Sequence, residues 1–477
     1  MKYEQETMYI KTKGKPVTQM WKAMAVLAWA CFFVVGCGGD APSPLTDSKG
    51  AQAVDLSDTS PKISSPTSNT DKVATPALQG FQKSAGRDAP TSNTDKVATP
   101  APLKQPPKPQ LSADEIADGW VQLFDGETLF GWKLNSDVNW SVADGVITAN
   151  KGTKPGLLLI SVPFADFELR CDFWMAKGGN SGVFLRTPFV PTDPGVDCYE
   201  LNICDTHPQG FNTASFVKRQ KPTKEVSGEE AWKTFHVRAE GTRVVVKLDG
   251  EEVLDFTDKT DKPLKSGFIG LQMNQGLVKF RNVFVRPLGT KELFNGKDLA
   301  GWREVPGSKS KFEVIDGAIH VTNGQGYWES EATFANFVLQ AQVKTNGDAL
   351  NSGIFFRGLP GKEGAYPGYE FQIQNGIKNG DRTQPADFGT GAIFRRQAAR
   401  FVVSNDREWT TLTLVAHGPT FATWVNGIPI TVWTDERKPH ASGNAREGLR
   451  LEGGHLSLQG HDPTTNLDFR NIRAGEQ

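Results

Sequence analysis

Two short segments carry residue types that can exchange protons with a ligand and recognise its hydroxyls. Tyr199-Glu-Leu-Asn-Ile203 and Tyr369-Glu-Phe-Gln-Ile373 each read as an extended strand, along which successive side chains point to opposite faces. Tyr369, Phe371 and Ile373 therefore take one side, and Glu370, Gln372 and Gln374 the other. The same alternation sets Arg357 with Gly353 and Phe355 against Ile354 and Phe356. It sets His455, Ser457, Gln459 and His461 against Leu456 and Leu458. If these strands are neighbours, Arg357, Glu370, Gln372, Gln459 and His461 line one concave face. The first half of the chain offers Arg186, Glu200, Asn202 and Gln272 in the same places, with Asp205 and His207 just beyond the strand and Asn274 where the second half has His461. A solvated sheet face is also polar. Here the same types return at matching positions in both halves, which favours a binding or catalytic face. Taken singly, His207 reads as a loop histidine and His461 as a surface one.

The elements that must position these residues are repeated. Leu123-Phe-Asp-Gly…Gly-Trp132 returns as Leu293-Phe-Asn-Gly…Gly-Trp302, and Asn180-Ser-Gly-Val-Phe-Leu-Arg186 returns as Asn351-Ser-Gly-Ile-Phe-Phe-Arg357. Gly270-Leu-Gln272 matches Ser457-Leu-Gln459, and Phe280-Arg-Asn282 matches Phe469-Arg-Asn471. The order is kept and the offset is domain-sized. Within each copy, period-two segments such as Phe167 to Met175 and Phe337 to Val343 are punctuated by Gly, Asp and Asn. Asp249-Gly250 and Asn426-Gly427 are hairpin dipeptides. The pattern predicts an all-β chain of two sandwiches, over residues 112–288 and 289–477. Trp132 and Trp302 read as core anchors rather than sugar platforms.

The remainder gives an address. Lysines at 11, 13, 15 and 22 precede an apolar run from Ala23 to Val35. That run is too short for a bilayer core, which needs about 20 residues, and suits a signal peptide. It ends at Gly36-Cys37, like a bacterial lipobox, so residues 1–37 are expected to be a lipoprotein signal with Cys37 acylated. Residues 38–111, rich in Ser, Thr and Pro and containing an internal repeat, are expected to be a disordered tether. The expected location is the cell envelope, membrane-anchored through the lipid. A net charge of -1 over 477 residues gives no concentrated basic surface for nucleic acid. Three thiols beyond the anchor, Cys171, Cys198 and Cys204, are expected buried and free. There is no paired metal-ligand spacing, phosphate-binding Gly loop or nucleophile elbow. The two carboxylates of the loop from Asp193 to Asp197 make a weak Ca²⁺ ligand set.

Over these motifs the chain resembles the 3-keto-disaccharide hydrolase domain family. The second copy is similar at Leu293 to Trp302, Asn351 to Arg357, Tyr369 to Ile373, Thr390 to Ile393 and Leu458 to Ile472, and the first copy more loosely. The resemblance implies a concanavalin-A-like jelly roll acting on glycosides oxidised at C3, by hydrolysis or by elimination. A ketone at C3 acidifies the C2 proton, so such a site needs a base, an acid for the leaving oxygen and a positive group for the enolate. In the second copy the expected base is His461 or Glu370 and the clamp Arg357, with Gln372, Gln374, Asn375 and Gln459 around the sugar. In the first copy Glu200, Asp205 or His207 would take the acid–base work beside Arg186, with Asn202 and Gln272 binding the sugar. No cofactor is certain, and a divalent cation could replace the arginine as electrophile. A non-catalytic carbohydrate-binding module is the competing expectation. A retaining glycosidase needs two carboxylates about 5 Å apart, and the matched strands offer one each.

Overall fold

The computed structural model describes residues 103–359, 368–439 and 447–477. Cys37, the signal segment and the expected tether up to residue 102 lie outside the described residues. Residues 103–111, expected in the tether, rest on the folded body. Leu111 is buried with Trp120 and Phe284, and the Gln110 amide donates to Gln122 Oε1 at 3.1 Å.

Each copy is a two-layer sandwich, as the alternation requires. Five strands form the smaller sheet of the first copy: β1 (Trp132–Leu134), β2 (Gly156–Ile160), β3 (Ser181–Thr187), β4 (Tyr199–Ile203) and β5 (Phe268–Met273), in the order β1-β2-β5-β3-β4. The second copy repeats it with β6 (Trp302–Glu304), β7 (Gly326–Phe334), β8 (Ser352–Gly358), β9 (Tyr369–Ile373) and β10 (Gly454–Gly460), in the order β6-β7-β10-β8-β9. An eight-stranded antiparallel sheet backs each of them. The chain is thus two tandem all-β jelly-roll sandwiches. Both sheets bury their apolar residues between the layers: Leu158, Val183, Leu201 and Leu271 in the first copy, Ile354, Phe371, Ile373 and Leu458 in the second.

Several repeated motifs are structural. The indole N–H of Trp132 donates to the carbonyl of Leu123 at 2.8 Å, and that of Trp302 to Leu293 at 2.6 Å. Each tryptophan thus closes its own opening motif inside the core. Asp249-Gly250 and Asn426-Gly427 have positive φ at both residues, 51° and 87°, then 49° and 74°, as a tight hairpin turn with the strand's own twist demands. Cys171, Cys198 and Cys204 are buried and unpaired.

The two copies share an apolar contact. Val338, Val415, Ala422 and Trp424 of the second copy join the core of the first. The Trp424 indole donates to the Gln122 carbonyl at 2.8 Å. Arg400 pairs with the buried Asp125 at 3.0 Å and lies over the Phe130 ring.

Candidate active site

The five-stranded sheets place the predicted polar rows side by side. In the second copy Gln459 on β10 and Gln372 on β9 flank Gly353 of β8, and one row further along Ser457 and Glu370 flank Phe355. In the first copy Gly182 on β3 pairs with Asn202, and Phe184 with Glu200, with Gln272 on the neighbouring β5. The glycines of the repeated Asn-Ser-Gly motif have a steric role here. A Cβ on Gly353 would stand 2.9 Å from Cγ of Glu370, and one on Gly182 would stand 3.4 Å from Cγ of Glu200. Glycine leaves the trough in which each glutamate lies. The motif serine ties the strands together: Ser181 donates to the Gln272 carbonyl at 2.6 Å and Ser352 to the Gln459 carbonyl at 2.8 Å.

Glu200 sits on the floor of a cavity of about 270 Å³, lined among others by Asn135, Leu157, Phe184, Pro191 and Gln272. It is 8% exposed. Burial pushes its pKa up to about 7, against a hydrogen bond from Gln272 and the charge of Lys218, which both act to lower it. Desolvation wins because the carboxylate loses water on most sides. Gln272 donates Nε2–H to Glu200 Oε1 at 3.2 Å, leaving its own buried Oε1 without a partner. Asn202 donates to the Phe211 carbonyl, and its Oδ1 is likewise buried and unpartnered. In the second copy Gln372 Oε1, Gln459 Oε1 and Ser457 Oγ are in the same condition. Most buried polar atoms find a partner, so these acceptors are exceptions. Gln272 borders the first cavity, whereas Asn202, Gln372, Gln459 and Ser457 are almost wholly buried and lie outside the residues that line the two cavities.

Glu370 lines a second cavity, of about 360 Å³, with Phe355, Tyr369, Arg395, Arg396 and Arg437. The outer faces of the two small sheets differ beside the glutamates. Where β7 and β10 carry Tyr327, Glu329 and Ser457, the register puts Leu157, Leu159 and Gly270 of β2 and β5, and of these Leu157 lines a cavity.

Arg186 and Arg357 are not on this face, contrary to the alternation. Each has φ near +48°, 47° and 49° respectively, at a register shift against β5 or β10. The bulge adds a residue and turns the side chain around. Arg357 then donates to the carbonyls of Ala335 (2.8 Å), Gly418 (2.7 Å) and Arg450 (2.7 Å), and Arg186 to those of Ala165, Gly241 and Leu264 and to Asp166 at 2.8 Å. Both are 1% exposed. They are staples between the sheets, and burial lowers both pKa values, that of Arg357 to about 10.

Other expected residues also fall outside the two cavities. Asp205 accepts from Thr213 (2.6 Å), Ser227 (2.5 Å) and the Gly228 amide (2.8 Å), fastening its loop. His207 stands in the same loop against Phe211, and burial lowers its pKa. His461 follows β10 and pairs with its neighbour Asp462 at 2.8 Å. Asn375 bridges Thr345, Thr390, Ser404 and Asp406, and Gln374 Oε1 closes a turn onto the Gly376 amide. Asp193 and Asp197 are engaged by Lys218 at 3.1 Å and by Thr192 at 2.7 Å. Among the described residues no group of three or more His, Cys, Asp or Glu side chains is placed to hold a metal ion.

The basic residues beside the glutamates come from a segment not singled out in the sequence. Phe216-Val-Lys-Arg-Gln220 covers the open edge of β4, and Ile393-Phe-Arg-Arg-Gln397 covers that of β9. Val217 N–H donates to the Glu200 carbonyl at 3.0 Å and Phe394 N–H to that of Glu370 at 2.9 Å. Lys218 and Arg395 both follow with positive φ, 61° and 58°. The recurrence of this hydrophobic-Lys/Arg-Arg-Gln string after each Tyr-Glu strand was the available signal.

A jelly roll whose open sheet holds one buried, protonatable glutamate among unpartnered amides defines a carbohydrate-active β-sandwich protein. The sequence matches the 3-keto-alpha-glucoside-1,2-lyase-like domain over residues 119–286 and again over 289–474. The chain belongs to that family. A protein of Bacteroides thetaiotaomicron named 3-keto-disaccharide hydrolase is 36% identical over 86 residues, which span 16% of this chain and 29% of that relative. A solved structure from Parabacteroides distasonis, provisionally named a glycosyl hydrolase, is 21% identical, covering 37% of this chain and 98% of its own, with a TM-score of 0.34. The carbohydrate-binding module CBM66 of Bacillus subtilis is 18% identical over 33% of this chain and 95% of its own, with a TM-score of 0.25.

Proposed function

We propose that this chain is an envelope enzyme, anchored through an acylated Cys37, that cleaves 3-keto-glycosides, with Glu200 of the first copy as the acid–base group. The observation that carries this is a desolvated carboxyl on a cavity floor with a pKa of about 7, the other carboxyl of the cavity, Asp193, being paired with Lys218. Near neutrality it is present in both forms, which is what proton transfer in both directions requires.

The carboxylate of Glu200 takes the proton from C2 of the keto sugar, and the C2 electron pair forms an enolate with the C3 carbonyl. As the ketone re-forms, a C1–C2 double bond develops, the bond from C1 to the aglycone oxygen breaks, and Glu200 returns its proton to that oxygen. Addition of water to the enone, with hydroxyl at C1 and a proton at C2, completes hydrolysis; release before that step makes the reaction an elimination. The positive group that an enolate needs is supplied by Lys154 on the cavity wall; Lys218, whose charge reaches Glu200, is paired with Asp193 at 3.1 Å. Arg186 does not contribute, since its guanidinium is held by backbone carbonyls. Gln272, which borders the cavity, orients the Glu200 carboxylate through its 3.2 Å hydrogen bond, and Asn202 lies beneath the sheet surface away from the sugar.

The test is aglycone release from a 3-keto-glucoside and from its unoxidised parent, by wild type and by Glu200→Gln and Glu370→Gln separately. Release from the keto sugar alone, lost about 100-fold or more in Glu200→Gln, supports the reading; general acid–base catalysis is worth about 10²–10⁴-fold. Binding of both sugars without turnover of either would establish the competing reading, a carbohydrate-binding module. Ultraviolet absorption of a conjugated enone separates elimination from hydrolysis.

A further inference from the structure

Resting on that reading of Glu200, we infer that the first copy selects 3-keto-glucosides with a compact apolar aglycone, an aryl or alkyl group, over those whose aglycone is a second sugar. Three observations converge. The cavity floor next to Glu200 is Leu157 and Phe184, which with Leu159 and Cys198 form a small apolar cluster on the outer side of the sheet, separate from the main core. At the corresponding register positions the second copy has Tyr327 for Leu157 and Glu329 for Leu159. The fold therefore accepts polar side chains there, and the leucines are not demanded by the sandwich. The roof is the loop between β3 and β4. It contributes Val190, Pro191 and Pro194 to the cavity, and Val190 is 62% exposed. Large apolar side chains this exposed are few among the described residues, and a second, Val196 at 68%, is in the same loop.

Size points the same way. About 270 Å³ lies below the ~300–1,000 Å³ usual for ligand sites, so there is room for one sugar ring and a small group. A second pyranose would bring four hydroxyls against leucine, phenylalanine and proline, where each would lose its water without a partner. The polar wall residues Asp193, Thr192 and Asn135 are already engaged, with Lys218, with Asp197 and with the backbone of Phe189 and Leu157, and Lys154 is the cation that serves the enolate.

The experiment compares phenyl 3-keto-glucoside with the glucosyl 3-keto-disaccharide of the same anomeric configuration, in full-length protein carrying Glu370→Gln so that turnover belongs to the first copy. The expected kcat/KM ratio favours the phenyl substrate at least 10-fold, the lower end of what an apolar pocket discriminates. Val190→Ser, on the exposed roof where folding is insensitive, should narrow that ratio about 3- to 10-fold, and Leu157→Asn should narrow it further. Calorimetric binding of unoxidised phenyl glucoside against the unoxidised glucosyl disaccharide of the same anomeric configuration is the second arm. If both keto substrates turn over at a ratio of one or below, the aglycone inference is overturned and the catalytic reading stands. If neither turns over but phenyl glucoside binds at least 10-fold tighter and Val190→Ser erases the difference, the apolar subsite stands and the catalytic reading falls. Equal binding of the two glucosides with no turnover overturns both.

Discussion

Replacing Glu200 by glutamine should stabilise the protein at alkaline pH and leave it unchanged in acid. The carboxyl has a pKa of about 7 in the folded chain against an ordinary value of 4.5. At about 1.4 kcal/mol for each pH unit, holding it ionised in the fold costs about 3 kcal/mol. The folded state holds this proton more tightly than the unfolded chain, so folding takes up a proton between these two pKa values. The stabilisation is complete below pH 4.5 and is lost as the pH rises through 7. Glutamine nearly matches the carboxylic acid in shape, keeps a partner for Gln272 and cannot ionise. Denaturant unfolding of wild type and Glu200→Gln at pH 4 and pH 8 isolates this group, because every other titration is common to both proteins. The stability difference should move by about 3 kcal/mol in favour of the variant between the two pH values. In Tm this is on the order of 6–12 °C for a domain of this size. A difference that is the same at both pH values, or that favours wild type at pH 8, would refute the placement of Glu200 in a desolvated floor.

Further outcomes follow from the same geometry. Arg357→Met or Arg186→Met should destabilise by several kcal/mol, because each strands buried carbonyls at about 1–3 kcal/mol apiece; kcat per folded molecule, measured after titrating the folded fraction, should stay near wild type. Gly454→Ala should destabilise by roughly 1–3 kcal/mol, since its Cβ would come within 2.5 Å of the Arg357 carbonyl carbon; a Tm scan reads this. Asp125→Ala, which leaves Arg400 buried against the first copy without its partner, should cost about 3–5 kcal/mol and separate the unfolding of the two copies in calorimetry. Cys171, Cys198 and Cys204 should resist alkylation in the native protein and react on unfolding, as mapped by peptide mass, because burial raises all three thiol pKa values.

The fold was legible because strand alternation and internal duplication are local properties. Tyr-Glu-Leu-Asn-Ile and Tyr-Glu-Phe-Gln-Ile, written twice with the same phase, could bury their apolar side in only one way, and Glu200, Asn202, Gln272, Glu370, Gln372 and Gln459 emerged on the expected face. The arginines were misplaced by the same rule that placed the glutamates. Alternation holds only while the register is unbroken, and Arg186 and Arg357 occupy the bulged position of their strands, with positive φ. The cue lay on the partner strand. Gly267 and Gly454, at the same place in each repeat, leave room for the bulged backbone, and a Cβ on either would strike the carbonyl carbon of the arginine. A glycine opposite a strand-end arginine in both copies therefore speaks for a backbone irregularity before it speaks for catalysis.

The chemical difference between the copies has another origin. Duplication makes every shared residue look equally important, yet the invariant ones mostly hold the sandwich: Trp132 and Trp302 cap their own turns, and the arginines clamp carbonyls. The copies differ at matched positions beside the glutamates, Leu157 against Tyr327, Leu159 against Glu329, Gly270 against Ser457. Sequence reading that searches for repetition passes over them. Register, which only the paired strands supply, sets those mismatches beside two cavities, one with Leu157 and Phe184 next to a carboxyl with a pKa of about 7 and one lined by Arg395, Arg396 and Arg437. Two copies of one scaffold packed against each other thus surround equivalent glutamates with different side chains. On the proposed reading, the exchange of Leu157 and Leu159 for Tyr and Glu should weaken the first copy's preference for an apolar aglycone, as the ratio of phenyl to glucosyl 3-keto-glucoside turnover would report.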